Sequence, residues 1–202
     1  MAFALVLIVG AGLRLFLWGQ RSGPLWFEEA VPIVWAQRIW GFDRGHFDPN
    51  PHSALWPHLS AYYFFLVQLV QYLIGLARGA FHGTADFRAA VFLDPTTLRA
   101  GAMLGEMVVG LCAIVSAWRL TTRVAGAWMG LAAALVLALE PLHVRYSLVP
   151  GPDMLLTLFV TLALLAALDV LERGRSGDSL GVRAEGQGWV TARRRRCLRA
   201  RA

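Results

Sequence analysis

The chain has 202 residues, of which 57% are hydrophobic and only 16% charged, whereas a soluble domain is about a quarter charged. Its formal net charge is +6, but nine of its nineteen arginines lie in residues 173–202, so the excess belongs to one end of the chain and does not indicate nucleic-acid binding. Cys112 and Cys197 give neither a disulfide framework nor a zinc-ligand spacing. The composition therefore excludes a soluble or disulfide-built protein and predicts an all-α integral membrane protein.

Four apolar runs are long enough, or nearly so, to cross a hydrocarbon core that needs about 20 residues. They occupy residues 2–18, 98–118, 124–139 and 154–170. The first run lacks a basic leading region, and Trp18-Gly19-Gln20 is a poor cleavage site, so we interpret it as a retained transmembrane helix and not as a signal peptide.

The long segment at residues 19–97 carries two further predicted helices. Apolar residues recur at helical spacing after Pro24, which predicts an amphipathic helix whose apolar face is formed by Phe27, Val31, Val34, Trp35 and Ile39. Glu28 and Glu29 fall in its first turn, where the helix dipole favours negative charge. This pair is therefore either a simple helix-capping feature or a functional one.

The second of these helices covers residues 55–76, a run that is apolar but contains His58, Gln68 and Gln71. Positive residues of short loops collect on the cytoplasmic side, which places Arg119, Arg123 and the basic tail inside. Four crossings then put both termini in the cytoplasm and leave residues 19–97 and 140–153 outside. A fifth crossing at 55–76 would reverse this arrangement, so we predict that this helix lies in the outer interface.

The ordered motifs suggest a family. They are Glu28-Glu29 opening a helix, Trp56-Pro57-His58-Leu59 in a proline-rich stretch, Leu98-Arg99 starting a helix, and Glu140-Pro141-Leu142-His143-Val144-Arg145-Tyr146-Ser147 followed by Asp153. Over about residues 5–172 the chain resembles the N-terminal part of the protein O-mannosyltransferase-like (dolichyl-phosphate-mannose-protein mannosyltransferase) family. This family belongs to the GT-C membrane glycosyltransferases.

The resemblance implies an inverting hexosyltransferase that takes sugar from a polyprenyl-phosphate donor at the outer membrane face. Glu28 stands where the family usually has an aspartate that acts as general base, Glu29 completes the acidic pair, and Asp153 matches the acid of the second outer loop. Arginine forks bind phosphate oxygens in a bidentate manner, which makes Arg145, with His143 beside it, the candidate for the donor phosphate. Arg145 is equally suited to anchoring at the headgroup level.

Two other groups of polar residues are candidates for metal binding or for an intramembrane role. His46, Asp48, His52 and His58 fit no standard metal spacing, although some GT-C relatives use a divalent cation; no other cofactor is indicated. Glu106 lies within a predicted span, where an acid is a functional hypothesis by default, and pairing with Arg99 is the alternative.

The chain is thus predicted to contain a GT-C-like module at residues 1–172 and a disordered basic cytoplasmic tail at 173–202, or sequence that follows a truncation. We expect an integral protein of the bacterial inner membrane that contacts lipid, the sugar donor and an unidentified protein, lipid or glycan acceptor. A glycosyltransferase with low or no activity as a truncated chain is one interpretation. A non-catalytic membrane subunit or degenerate fragment is the other, and a small transporter is disfavoured because few polar groups lie within the spans.

Overall fold

The computed structural model describes residues 1–20, 27–52, 58–94 and 96–173, and all of its regular elements in these ranges are helices. They are α1 (Ala2–Gln20), α2 (Phe27–Ile39), α3 (His58–Ala77), α4 (Thr84–Leu93), α5 (Thr96–Ala125), α6 (Ala127–Leu139), α7 (Pro141–Tyr146) and α8 (Asp153–Arg173). The predicted all-α membrane fold is confirmed. Trp56, Pro57 and the tail beyond Arg173 lie outside the described residues.

Four described helices, α1, α3, α5 and α8, are long and apolar enough to cross a membrane. Their number equals the predicted one, but the set differs. The third predicted run is interrupted at Gly126, whose φ of 92° ends α5, so α6 has only 13 residues. Helix α3 has the length and hydropathy of a span, and its predicted position in the interface stays a prediction.

Helices α1, α5 and α6 form one packed cluster around Val6, Ile114, Ala134 and Ala138. The rings of Phe3 and Trp118 stack with centroids 4.0 Å apart, which places the beginning of α1 beside the later part of α5. Gly10 lies against Ala138 near the end of α6. Helix α1 therefore runs antiparallel to α5 and parallel to α6. We call the end of this cluster where α1 and α6 finish the α7 end.

Helices α2, α3 and α4 pack on the first turns of α5 around a second cluster. Its buried members include Ile33, Ala36, Phe64, Phe87, Leu98 and Ala102. Gln68 Nε2 donates a hydrogen bond to the Ile33 carbonyl at 3.1 Å and ties α3 to α2. The helices of the long segment that precedes α5 in the sequence therefore pack against the first turns of α5.

The predicted apolar face of α2 is only partly confirmed. Ile39 is buried and Val31 and Trp35 are half-buried, while the Phe27 side chain lies outside the described residues. The buried residues are Glu29, Pro32, Ile33, Ala36 and Ile39, whereas Val34 is 44% exposed. The prediction followed the largest apolar side chains. The structure instead turns small Ala36 inward, because a small side chain allows α2 to approach its neighbours closely.

The start of α8 packs on α3 and α5. Met154 and Leu155 are buried with Val109, and Tyr63 of α3 packs against them. The chain divides into two compact units, Met1–Thr161 and Leu162–Ala202, and the second is described only for the remainder of α8. The predicted boundary between a module at 1–172 and a tail stays a prediction.

Candidate active site

Arg14 of α1 is completely buried and binds four groups at the α7 end. Its Nε donates to Ser147 Oγ at 2.8 Å, and its Nη1 donates to the carbonyls of Gly10 at 2.9 Å and Ala138 at 3.2 Å. Its Nη2 lies 2.7 Å from His143 Nδ1. One guanidinium therefore joins α1 to the end of α6, to the first turn of α7 and to the C-cap residue of α7.

The break between α6 and α7 explains why a cation can be buried here. Pro141 has no N–H and begins α7, so the last carbonyls of α6 lose their partners in a continuing helix. Arg14 binds one of them, the Ala138 carbonyl. A positive charge at a helix C-terminus is also favoured by the helix dipole. Carbonyl dipoles thus take the place of a carboxylate partner in stabilising Arg14.

His143 is neutral in this arrangement. A guanidinium can only donate, so the hydrogen bond to Arg14 requires Nδ1 to be the acceptor and leaves the proton on Nε2. Burial lowers the pKa of His143 from 6.5 to about 4, and the Arg14 charge adds to this effect. The His143 backbone N–H donates to the carboxylate of Glu140, whose pKa is lowered by the N–H groups of His143 and Leu142.

The lowered pKa of His143 predicts acid sensitivity of the fold. Between pH 6.5 and about 4 the unfolded chain binds a proton at His143 while the folded chain does not. The contribution of His143 to the free energy of unfolding should therefore be constant above pH 7. It should decrease as the pH falls from 6.5 to about 4. Denaturant titrations in detergent at stepped pH would measure it. A His143→Gln variant should lose this part of the pH dependence, and an unchanged slope would contradict the assignment.

Arg145 lies in the sequence between His143 and Ser147, the two residues that bind Arg14, but its own side chain is exposed. It lines an open cavity of about 350 Å³ together with Leu17, Gln20 and Leu148. His143 and Arg145 were predicted to act together on a phosphate. In the structure His143 is buried against Arg14, and Arg145 is exposed at the surface.

Asp153 is exposed in the first turn of α8, close to this end of the bundle. The Pro152 carbonyl accepts the Leu156 N–H at 2.9 Å, so the N-cap position is Pro152. Asp153 is therefore the first residue of α8 and follows its N-cap. The carboxylate keeps the favourable position near a helix N-terminus and remains available to solvent.

Glu106 of α5 is completely buried near Asp153. The Gly151 backbone N–H and the Asp153 charge act on it, but neither Glu106 oxygen has a partner at hydrogen-bond geometry within the described part of the chain. The predicted pair with Arg99 is therefore not formed as a hydrogen bond. Buried acids are costly in a membrane protein and commonly functional, which makes Glu106 a further component of this region.

The acidic pair opens α2 as predicted. The helix begins at Phe27; Glu29 is 4% exposed and has other contacts, and the Glu28 side chain lies outside the described residues. Gln20 lines the Arg145 cavity, and a fully extended chain from Gln20 to Phe27 reaches at most about 25 Å. The start of α2 is therefore within that distance of the cavity, but the convergence of Glu28 with Asp153 stays a prediction.

Residues 87–184 match the family model described as dolichyl-phosphate-mannose-protein mannosyltransferase. Over these residues the chain is similar to that mannosyltransferase family. No curated protein and no solved structure matches the chain.

The mannosyltransferase match contains His143, Arg145 and Asp153 but begins after Arg14 and the acidic pair. It also continues twelve residues beyond position 172, where the sequence resemblance was expected to end. The family recognition is thus confirmed for the later part of the chain.

The histidine-rich stretch before α3 has local partners. Asp48 Oδ2 accepts hydrogen bonds from His52 Nε2 at 2.8 Å and from Arg44 at 2.7 Å. The backbone N–H of Asn50 and then the His52 side chain lower the pKa of Asp48. Within the described ranges no three His, Cys, Asp or Glu side chains form a group that could hold a metal ion.

Sequence reasoning missed Arg14 and Ser147. Arg14 interrupts the apolar run of α1, and an intramembrane arginine is as strong a functional indication as Glu106. That signal was available in the sequence. The role of Ser147 was not, because its partner lies 133 positions away in the chain.

Proposed function

We propose that this chain is the N-terminal module of a membrane glycosyltransferase that moves a sugar from a polyprenyl-phosphate donor to an acceptor hydroxyl. The single observation that carries the proposal is an exposed arginine beside a cavity and an exposed aspartate, both at the α7 end and both inside the mannosyltransferase match. Arg145 supplies a fork for phosphate oxygens, and Asp153 supplies a carboxylate in the same region.

The reaction is a single displacement with inversion at the anomeric carbon. Glu28 removes the proton of the acceptor hydroxyl as its oxygen forms a bond to that carbon. The bond between the anomeric carbon and the phosphate oxygen breaks, and the electron pair leaves with the lipid phosphate. Arg145 stabilises the added negative charge, so a strong general acid is not required. Asp153 and Glu29 complete the acidic surroundings of the acceptor.

The charge distribution supports an active site on the outer face. Arg119 and Arg123 are exposed or partly exposed at the end of α5 that lies opposite the α7 end. Residues 119–123 are helical and do not form the short loop that the sequence suggested, but positive residues near the end of a span also favour the cytoplasmic side. Their position directs the α7 end outward and both termini inward. This orientation, in the inner membrane of a bacterium, requires α3 to lie in the interface.

Replacement of Arg145 by alanine tests the donor site. A hydrogen bond to a charged group contributes about 1.5–3 kcal/mol, so we expect the donor KM to rise roughly tenfold to a hundredfold. The measurement is transfer of labelled mannose from polyprenyl-phosphate mannose in membrane vesicles. Arg78→Ala, which removes an exposed arginine beyond α3, is the matched control and should leave KM unchanged. Equal donor KM in Arg145→Ala and wild type would refute the phosphate role.

A non-catalytic membrane subunit or degenerate fragment is the second candidate function. The residue that favours it is Glu28, because the sequence resemblance leads us to expect aspartate at this position. Folded wild-type chain that transfers no sugar from any polyprenyl-phosphate donor, alone or with the remaining membrane proteins of its host, would select this candidate.

A further inference from the structure

We propose that Arg14 is a positioning residue that fixes Arg145 for the donor phosphate. The inference rests on the proposed function only in assigning the phosphate to Arg145. The geometric part stands separately. Arg14 has no access to solvent and therefore acts on substrate only through the residues that it holds.

The residues on both sides of Arg145 bind the Arg14 guanidinium, although Arg145 itself does not. His143 precedes it by two residues and Ser147 follows it by two, and both bind Arg14. In a helix, residues four apart share a face, so His143 and Ser147 point inward together. The residue halfway between them must point away from that face. Arg14 thereby determines the direction in which Arg145 leaves α7.

Close packing prevents this arrangement from sliding. Ser147 Oγ also donates to the Val144 carbonyl at 2.8 Å. On its other side is Gly110 of α5, where an added Cβ would lie 2.5 Å from Ser147 Cβ. Ser147 is therefore confined between Arg14 and α5, and a shift of α7 along α1 would break its hydrogen bonds or produce a steric clash.

Lysine cannot reproduce the function of Arg14. The guanidinium donates from three nitrogen atoms in fixed directions, and here those directions reach Ser147, two carbonyls and His143. An ammonium group has three N–H bonds on one atom and cannot reach the same four groups. Arg14→Lys therefore keeps the charge but releases part of α7.

A double-mutant cycle tests the proposal on the purified chain in detergent. Binding of polyprenyl phosphate is measured for wild type, Arg14→Lys, Arg145→Ala and the double variant. We expect Arg14→Lys to raise Kd about tenfold, and we expect the double variant to bind no more weakly than Arg145→Ala. Arg88→Lys on α4 is the matched control and should leave Kd unchanged. Additive losses in the double variant would overturn the proposal.

A second measurement does not depend on substrate. Gln20 of α1 and Arg145 of α7 line the same cavity, and both are exposed. With Cys112 and Cys197 changed to serine, Gln20→Cys and Arg145→Cys are crosslinked by a short bifunctional maleimide, so the yield reports the direction of position 145. We expect Arg14→Lys to reduce the yield at least threefold, and an unchanged yield would overturn the positioning role.

The two measurements distinguish this proposal from the proposed function. If Arg145→Ala leaves binding unchanged but Arg14→Lys reduces crosslinking, the phosphate role of Arg145 fails and Arg14 still positions α7. If Arg145→Ala weakens binding while Arg14→Lys changes neither readout, the donor site stands and the inference about Arg14 is overturned.

Discussion

Turnover should fall by about 10²–10⁴-fold when Glu28 is replaced by glutamine, because general acid–base groups contribute rate factors of this size. Glutamine has the same shape and polarity but cannot take the acceptor proton. The donor KM should change little, since the phosphate is bound elsewhere. Initial rates of mannose transfer at saturating donor would measure the effect. Asp43→Asn, at an exposed carboxylate after α2, is the matched control.

Glu28→Asp makes the same experiment more specific. It shortens the side chain by one methylene and installs the aspartate that the sequence resemblance leads us to expect at this position. If Glu28 is the base, the aspartate variant should keep measurable turnover while the glutamine variant does not. Full activity of Glu28→Gln would remove the acidic pair from the mechanism and leave Asp153 as the remaining acidic candidate.

Arg14→Met should lower the free energy of unfolding by roughly 2–4 kcal/mol, since leaving a buried polar group unsatisfied costs about 1–3 kcal/mol. The substitution leaves the Ala138 carbonyl and His143 Nδ1 without a donor. The removed cost of burying a charge offsets part of this loss. Equilibrium unfolding in mixed detergent micelles, followed by circular dichroism, would measure the change.

Leu15→Met is the control for this measurement. It introduces the same side chain on the same helix at a position that is 46% exposed, and it should be nearly neutral. An Arg14→Met variant as stable as this control would mean that the buried hydrogen bonds contribute little. The role of Arg14 would then have to be limited to positioning.

The sequence predicted the long helices well because their information is local. The apolar runs of α1, α5 and α8 are long enough to predict membrane spans. The acidic pair falls in the first turn of α2, as predicted. The length of α6 was overestimated because one glycine with positive φ ends α5 two residues before α6 begins. The α2 face was only partly predicted, because tertiary packing and not side-chain size selects which residues are buried.

The site was only partly predictable for the opposite reason. Asp153 and Arg145 are recognisable from a short motif, and the structure places both at one end of the bundle. The four hydrogen bonds of Arg14 join residues up to 133 positions apart, and no local pattern encodes such distances. That His143 faces inward and Arg145 outward follows only from knowing where α1 packs.

The short helix α6 has a consequence for the surrounding bilayer. Its 13 residues cover about 20 Å, whereas the hydrocarbon layer is about 30 Å thick. A helix that is too short is accommodated by local thinning of the lipid layer. Lipid headgroups and water beside α6 should therefore be displaced toward the midplane, forming a dimple that ends at Glu140. The polar head of an amphiphile in this leaflet would therefore lie at the depth of the α6–α7 break before the amphiphile made any specific contact with the protein.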